Sequence, residues 1–177
     1  LALVAIPDNA PTTDLPERAL GFRVQAYGMV KHRDLFTPRQ LVTLTTLSDL
    51  VSEAYQKIKI DALNAGLLND DVPLREGGTG TRAYAEAISA YLTFAIDKMT
   101  DTNTTLCSWQ IEPPRLRSTF GRQALPMVWD YAEENSFGNA AGDFGLCVES
   151  LSKVVEQFAL LDDSIAKQAD ATLQVES

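Results

Sequence analysis

The sequence predicts a mainly α-helical fold, with about four helices in an irregular bundle and a small β-ribbon near the N-terminus. Three observations predict it. Apolar residues recur every three to four positions over long stretches. Cap-forming residues stand where those stretches begin. No alternation of strand and helix runs along the chain, which excludes a parallel-sheet nucleotide-binding core within it. The 177 residues amount to about one domain. They read as one helical domain over 1–177, with short strands in 1–30 and a helical core over 37–170.

Taken in order, Leu1–Ile6 ("LALVAI") is an apolar run with the look of a buried strand, ended by Pro7. Gly21–Met29 alternates Phe22, Val24 and Ala26 with Arg23 and Gln25, the period of a half-buried strand. The two could pair as an antiparallel ribbon. The first helix begins at Thr37: Thr37 can cap it, Pro38 suits the first helical position and Gln40 stands where a capping-box partner would. Leu41, Leu44, Leu47, Val51, Ala54 or Tyr55, Ile58 and Ala62 form its apolar stripe, and Gly66 can end it. Thr81 can cap a second helix striped by Tyr84, Ala87 or Ile88, Tyr91 or Leu92, Ala95 and Met99, closing at Asp101–Asn103. Pro113-Pro114 forbids regular structure around it. A third helix is predicted from Arg122 to Glu134 by the spacing of Leu125, Val128 or Trp129 and Ala132, with Pro126 in its first turn or at a kink. Asp143 can cap a fourth, with Phe144, Val148, Leu151, Val155, Phe158 and Ile165 inward. Residues 171–175 turn strand-like.

Charge narrows the partners. The net charge is −9, and residues 101–177 hold five basic groups against twelve acidic ones. Such a chain is a poor non-specific ligand for nucleic acid, so any DNA contact must use a local basic patch. Cys107 and Cys147 lie forty residues apart with one histidine in the chain, which is no metal-ligand spacing. Cys147 reads as a small core residue, a disulfide is not implied, and a reducing cytoplasm is the expected location. No membrane span is expected, since the apolar opening is far too short, and no basic leader precedes it. Both ends look cut from something longer. "REGGTGTR" and "FGNAAGDFG" lack phosphate-loop spacing and read as flexible loops. His32, between Lys31 and Arg33, reads as a solvated loop residue. Asp130 and Glu133 fall on one face of the predicted third helix and most simply answer an arginine, with Arg122 near enough in the chain.

The notable feature is a pair of phrases, "LFTPRQLVTL" and "TFGRQALPMVWD". Each places an Arg-Gln pair where a helix is predicted to start, the end least hospitable to a cation. Either Arg39 and Arg122 bond acids or carbonyls within the fold, or they flank a phosphate-binding surface. The second reading makes Arg39, Gln40, Arg115, Arg117, Arg122 and Gln123 the nucleic-acid-binding candidates. Trp109 and Phe120 would be their stacking platforms, since arginine beside an aromatic ring suits a single-stranded or flipped nucleotide. No nucleophile–base pair, metal cluster or phosphate loop is evident, so catalytic, cofactor-binding and metal residues are expected to be none.

Four stretches, "LFTPRQLVTLTTLSDLV", "YAEAISAYLTFAIDKMTD", "NTTLCSWQ" and "TFGRQALPMVWDYAEENSFG", resemble consecutive blocks of the large prokaryotic adenine-specific DNA methylases, a domain family of unknown function. The resemblance spans roughly Gly28 to Gly138. It implies a parent resembling an S-adenosylmethionine-dependent amino-methyltransferase, with a glycine-rich cofactor motif upstream of these blocks and an Asp-Pro-Pro-Tyr motif downstream. This chain holds neither motif, and Pro113-Pro114 is followed by Arg115. The segment therefore looks like the helical insert between the two halves of the catalytic fold, with no cofactor of its own and no activity expected alone. Arg39, Gln40, Arg122, Gln123, Trp129, Asp130, Glu133 and Asn135 match the family's blocks without an assigned role. The implied partners are the rest of the methyltransferase and DNA. The rival expectation is a protein–protein interaction module of a multicomponent DNA modification or defence system, which the acidic second half favours.

Overall fold

The computed structural model describes residues 4–140 and 142–158. Its regular structure is mainly helical, as the periodicity predicts, with three α-helices and one two-stranded antiparallel sheet among the described residues. Helix α1 is Pro38–Asn64, α2 is Thr81–Thr100 and α3 is Phe144–Phe158; strands β1, Trp109–Gln110, and β2, Arg115–Leu116, form the hairpin.

Helix α1 starts where its sequence says it should. The Gln40 amide N–H donates to Thr37 Oγ1 at 3.2 Å, and the Thr37 N–H donates to Gln40 Oε1 at 2.7 Å. That reciprocal box satisfies two donors the first turn would otherwise leave open. At the far end the chain turns through Gly66 at φ +92°. Helix α2 begins one residue earlier than expected: Gly80 is the N-cap and Thr81 the first helical residue. Thr81 is fully buried with its N–H given to the Leu68 carbonyl, so its hydroxyl is not placed to cap. Asp143 caps α3 as expected, accepting from the Leu146 N–H at 3.1 Å. Ile165 and the strand-like 171–175 lie outside the described residues.

Helix α2 packs against both α1 and α3. Leu47 of α1, Ala95, Ile96 and Met99 of α2 and Cys147 of α3 form one buried cluster, with Leu44, Val51, Phe144, Val148 and Leu151 around it. A second cluster joins Leu15, Val24, Leu35, Leu106 and Leu125. Both cysteines are buried free thiols, and burial pushes Cys107 up to about 11. Among the described residues no helix is long and apolar enough to cross a membrane.

Two predicted elements are corrected. The stretch from Arg122 to Glu134 is extended and irregular, not helical. Pro126 disfavours α backbone at Leu125 before it. Leu125 instead forms a parallel bridge with Phe22, its carbonyl accepting from the Arg23 N–H at 2.9 Å, and the Ala132 N–H goes to the Cys107 carbonyl at 2.7 Å. Those long-range bonds replace the intrahelical ones. Leu125 and Val128 do reach the second cluster, but Trp129 is 97% exposed. The expected ribbon is also absent among the described residues. Val24–Tyr27 is a turn of 3-10 helix closed by Gly28 at φ +90°, and residues 4–6 are exposed and irregular. Alternation there reflected one deeply buried residue, Val24, and not a pleated face.

Candidate nucleic-acid interface

The hairpin pairs Trp109 with Leu116 and Gln110 with Arg115. The Arg117 N–H donates to the Ser108 carbonyl at 2.9 Å, carrying the pairing one step further. Because successive strand residues point to opposite faces, Ser108, Gln110, Arg115 and Arg117 share one face and Trp109 takes the other. That polar face forms a wall of an open cleft of about 650 Å³, whose lining also includes Ser118, Thr119 and Arg122.

Three of the five basic residues after position 100 therefore meet at one concavity. All three are exposed, and among the described residues none pairs with a carboxylate. Arg115 is oriented by its Nε, which donates to Gln110 Oε1 at 3.1 Å, while Gln110 Nε2 donates to the Glu112 carbonyl at 2.6 Å. The guanidinium's terminal nitrogens stay available. A guanidinium offers several donors in a fixed fork, so three of them unanswered by acids suit an anion such as phosphate.

The rest of the polar lining hangs from one residue. Asp101, at the C-terminal end of α2, accepts from the Ser118 hydroxyl through Oδ2 and from the Phe120 N–H through Oδ1 at 2.8 Å; its carbonyl accepts the Thr119 N–H at 3.0 Å. Its carboxylate is thus committed to the loop that leads to Arg122. Thr119 is further held by a buried hydroxyl pair with Thr104 at 2.8 Å. Asp101→Ala is expected to cost about 2 kcal/mol, because the Ser118 hydroxyl and the Phe120 N–H both lose a charged acceptor. Urea unfolding measures the cost, and accelerated amide exchange at Phe120 locates it.

The other candidates separate from this cleft. Neither Trp109 nor Phe120 lines it, though both rings are roughly half exposed. Gln123 is exposed and outside the lining. Arg39 answers its own helix start: Nη2 reaches Glu133 Oε2 at 2.5 Å and Nε donates to Oε1 at 3.2 Å. Glu133 thus pairs with Arg39 and not with Arg122, and that bonding raises the Arg39 pKa. Gln40 is buried in its capping box, with its Nε2 lacking an acceptor. His32 is exposed, as expected of a loop, with its ring Nδ1 3.1 Å from the Thr13 carbonyl. Neither glycine loop, 75–82 or 137–145, lines the cleft.

A second, smaller pocket of about 210 Å³ lies beside the Arg39–Glu133 pair and includes Gln40, Asn103, Glu134 and Ser136. Glu134 was legible only as part of an acidic run. Its two carboxyl oxygens are buried without a hydrogen-bond partner. Burial pushes its pKa up to about 7, and the nearby Thr102 side chain opposes that rise. The Thr102 hydroxyl itself donates to the Met99 carbonyl at 3.3 Å, so its help to the carboxyl is weak. Gly142, at φ +88°, packs so closely on this carboxyl that a Cβ would not fit. Among the described residues no group of histidine, cysteine and acidic side chains could hold a metal ion. Compared with protein-family models, curated proteins and solved structures, the chain matches none of them.

Proposed function

We propose that the chain is a non-catalytic helical module of an adenine-specific DNA methyltransferase that contacts DNA through the Arg115–Arg117–Arg122 cleft. The family part of this reading rests on the four sequence blocks. The DNA part rests on one observation: three carboxylate-free arginines converge on one exposed cleft in a chain of net charge −9. Arginines meant only to hold the fold would be expected to bond acids, as Arg39 does. S-adenosylmethionine belongs to the parent. Its sulfonium carries positive charge, so a cleft walled by three guanidiniums does not fit it, and no chemical step is assigned to this chain.

Fluorescence anisotropy with a labelled oligonucleotide tests the reading. At about 50 mM salt the full chain is expected to bind, and replacing all three cleft arginines by alanine is expected to weaken binding roughly a hundredfold. Arg39→Ala, which removes a charge already neutralised by Glu133, is expected to change affinity less than about twofold. Absence of binding, or binding indifferent to the triple substitution, would overturn the DNA role. A specific observation favours the interaction-module reading in that event: Trp129, Ile111 and Phe137 are 97%, 81% and 73% exposed. Aromatic side chains such as Trp129 and Phe137 are enriched where proteins meet.

A further inference from the structure

Resting on the DNA-contact reading of this cleft, we infer that the cleft takes a run of successive phosphates of a nucleic-acid chain and leaves the bases outside. Arg115 and Arg117 stand two positions apart on one face of β2 and its extension. Two residues of strand span about 6.7 Å, the length scale on which phosphates follow one another along a sugar–phosphate backbone. Arg122 lines the same concavity, and the Ser108 side chain adds a hydroxyl group to the lining, whereas the Ser118 hydroxyl is given to Asp101. The pitch of the two hairpin arginines is fixed by pairing, with Arg115 held by Gln110 and the Arg117 backbone by Ser108.

The bases have no platform in this geometry. Stacking needs an aromatic face in the groove that tracks the backbone. Trp109 stands on the hairpin face opposite to Arg115 and Arg117 and is outside the lining, although its cross-strand partner Leu116 is within it, and Phe120 is outside the lining although Thr119 and Gly121 on either side are within it. Recognition is therefore of the phosphodiester backbone, which positions a nucleic acid without reading its sequence. The same phosphates occur on a single strand and on a duplex, and the salt dependence tells the two apart.

The test compares, on the full chain, an oligothymidylate, an abasic oligodeoxynucleotide of equal length and a duplex. The abasic and thymidylate strands are expected to bind within about twofold of each other. Three phosphate contacts predict a slope of log affinity against log salt near −2 on a single strand and near −3 on a duplex. R115A or R117A is expected to reduce that slope by roughly one contact's worth and affinity by about tenfold. W109A and F120A are expected to leave affinity within about twofold. A tenfold or greater loss on removing the bases, or with W109A, would overturn backbone recognition while leaving DNA contact standing. Failure of all three nucleic acids to bind would overturn the DNA reading itself.

Discussion

Met99→Ala is expected to lower the stability of the chain by about 3 kcal/mol, the largest single loss among these substitutions. Met99 is fully buried near the end of α2, in the cluster that also takes in Leu47 of α1 and Cys147 of α3. Truncation removes most of a side chain in a cluster to which all three helices contribute. The lost transfer energy and the cavity left behind both count, because three anchored helices cannot collapse to fill it. A domain of this size is stable by only about 5–15 kcal/mol, so the loss is a large share. The unfolding midpoint in urea reports it, with an unchanged slope if the denatured state is unaffected. Met99→Leu nearly conserves volume and is expected to cost under about 1.5 kcal/mol. A loss below about 1 kcal/mol for Met99→Ala would mean that the three helices do not share this core.

The same residue shows why the helices were readable. Leu47, Ala95, Met99 and Cys147 each belong to a stripe with the helical period, and such a stripe is created by local geometry. Caps are local as well, so Thr37, Gln40 and Asp143 could be recognised from a few neighbours. Leu125, Val128 and Ala132 keep a helical spacing without a helix, since their backbone partners come from residues 22, 23 and 107. Nothing in a short window distinguishes those long-range bonds from intrahelical ones; Pro126 is the available signal, and a proline is compatible with a helix in its first turn or at a kink.

The cleft was half legible for a related reason. Residue type identified Arg115, Arg117 and Arg122, because guanidiniums are what an anion site needs. Their separation from Trp109 depends on a hairpin that Pro113-Pro114 argues against in the sequence. Those prolines lie in the connection between β1 and β2, where they cost the ladder no hydrogen bond. With the hairpin formed, the period-2 alternation sorts the arginines from the tryptophan. The Arg39–Glu133 pair was hidden for another reason: ninety-four residues separate its members.

Glu134 leads to the second large expected effect, a fall in stability between about pH 4.5 and pH 7. Its carboxyl is buried without partners, and its pKa is raised from 4.5 to about 7. Between those values the unfolded chain gives up the proton and the folded chain keeps it. The folded state then binds more protons, so stability decreases as pH rises and levels off above pH 7. The full shift would correspond to about 3 kcal/mol, and the partial exposure of the residue reduces this to about 2 kcal/mol. Asp14, Glu86, Asp143 and Glu149 have lowered pKa values, so their stabilisation is lost as pH falls through the more acidic range. The neighbouring thiols, Cys107 and Cys147, are both raised, which keeps them uncharged across this window. Glu134→Gln keeps the shape and removes the titration. It is expected to be more stable than the parent chain at pH 8 and about equal at pH 4.5, as measured by urea unfolding across pH. Parallel profiles for the two proteins would show that Glu134 reaches water in the folded state and that the segment joining Trp129 to Gly142 does not hold it buried.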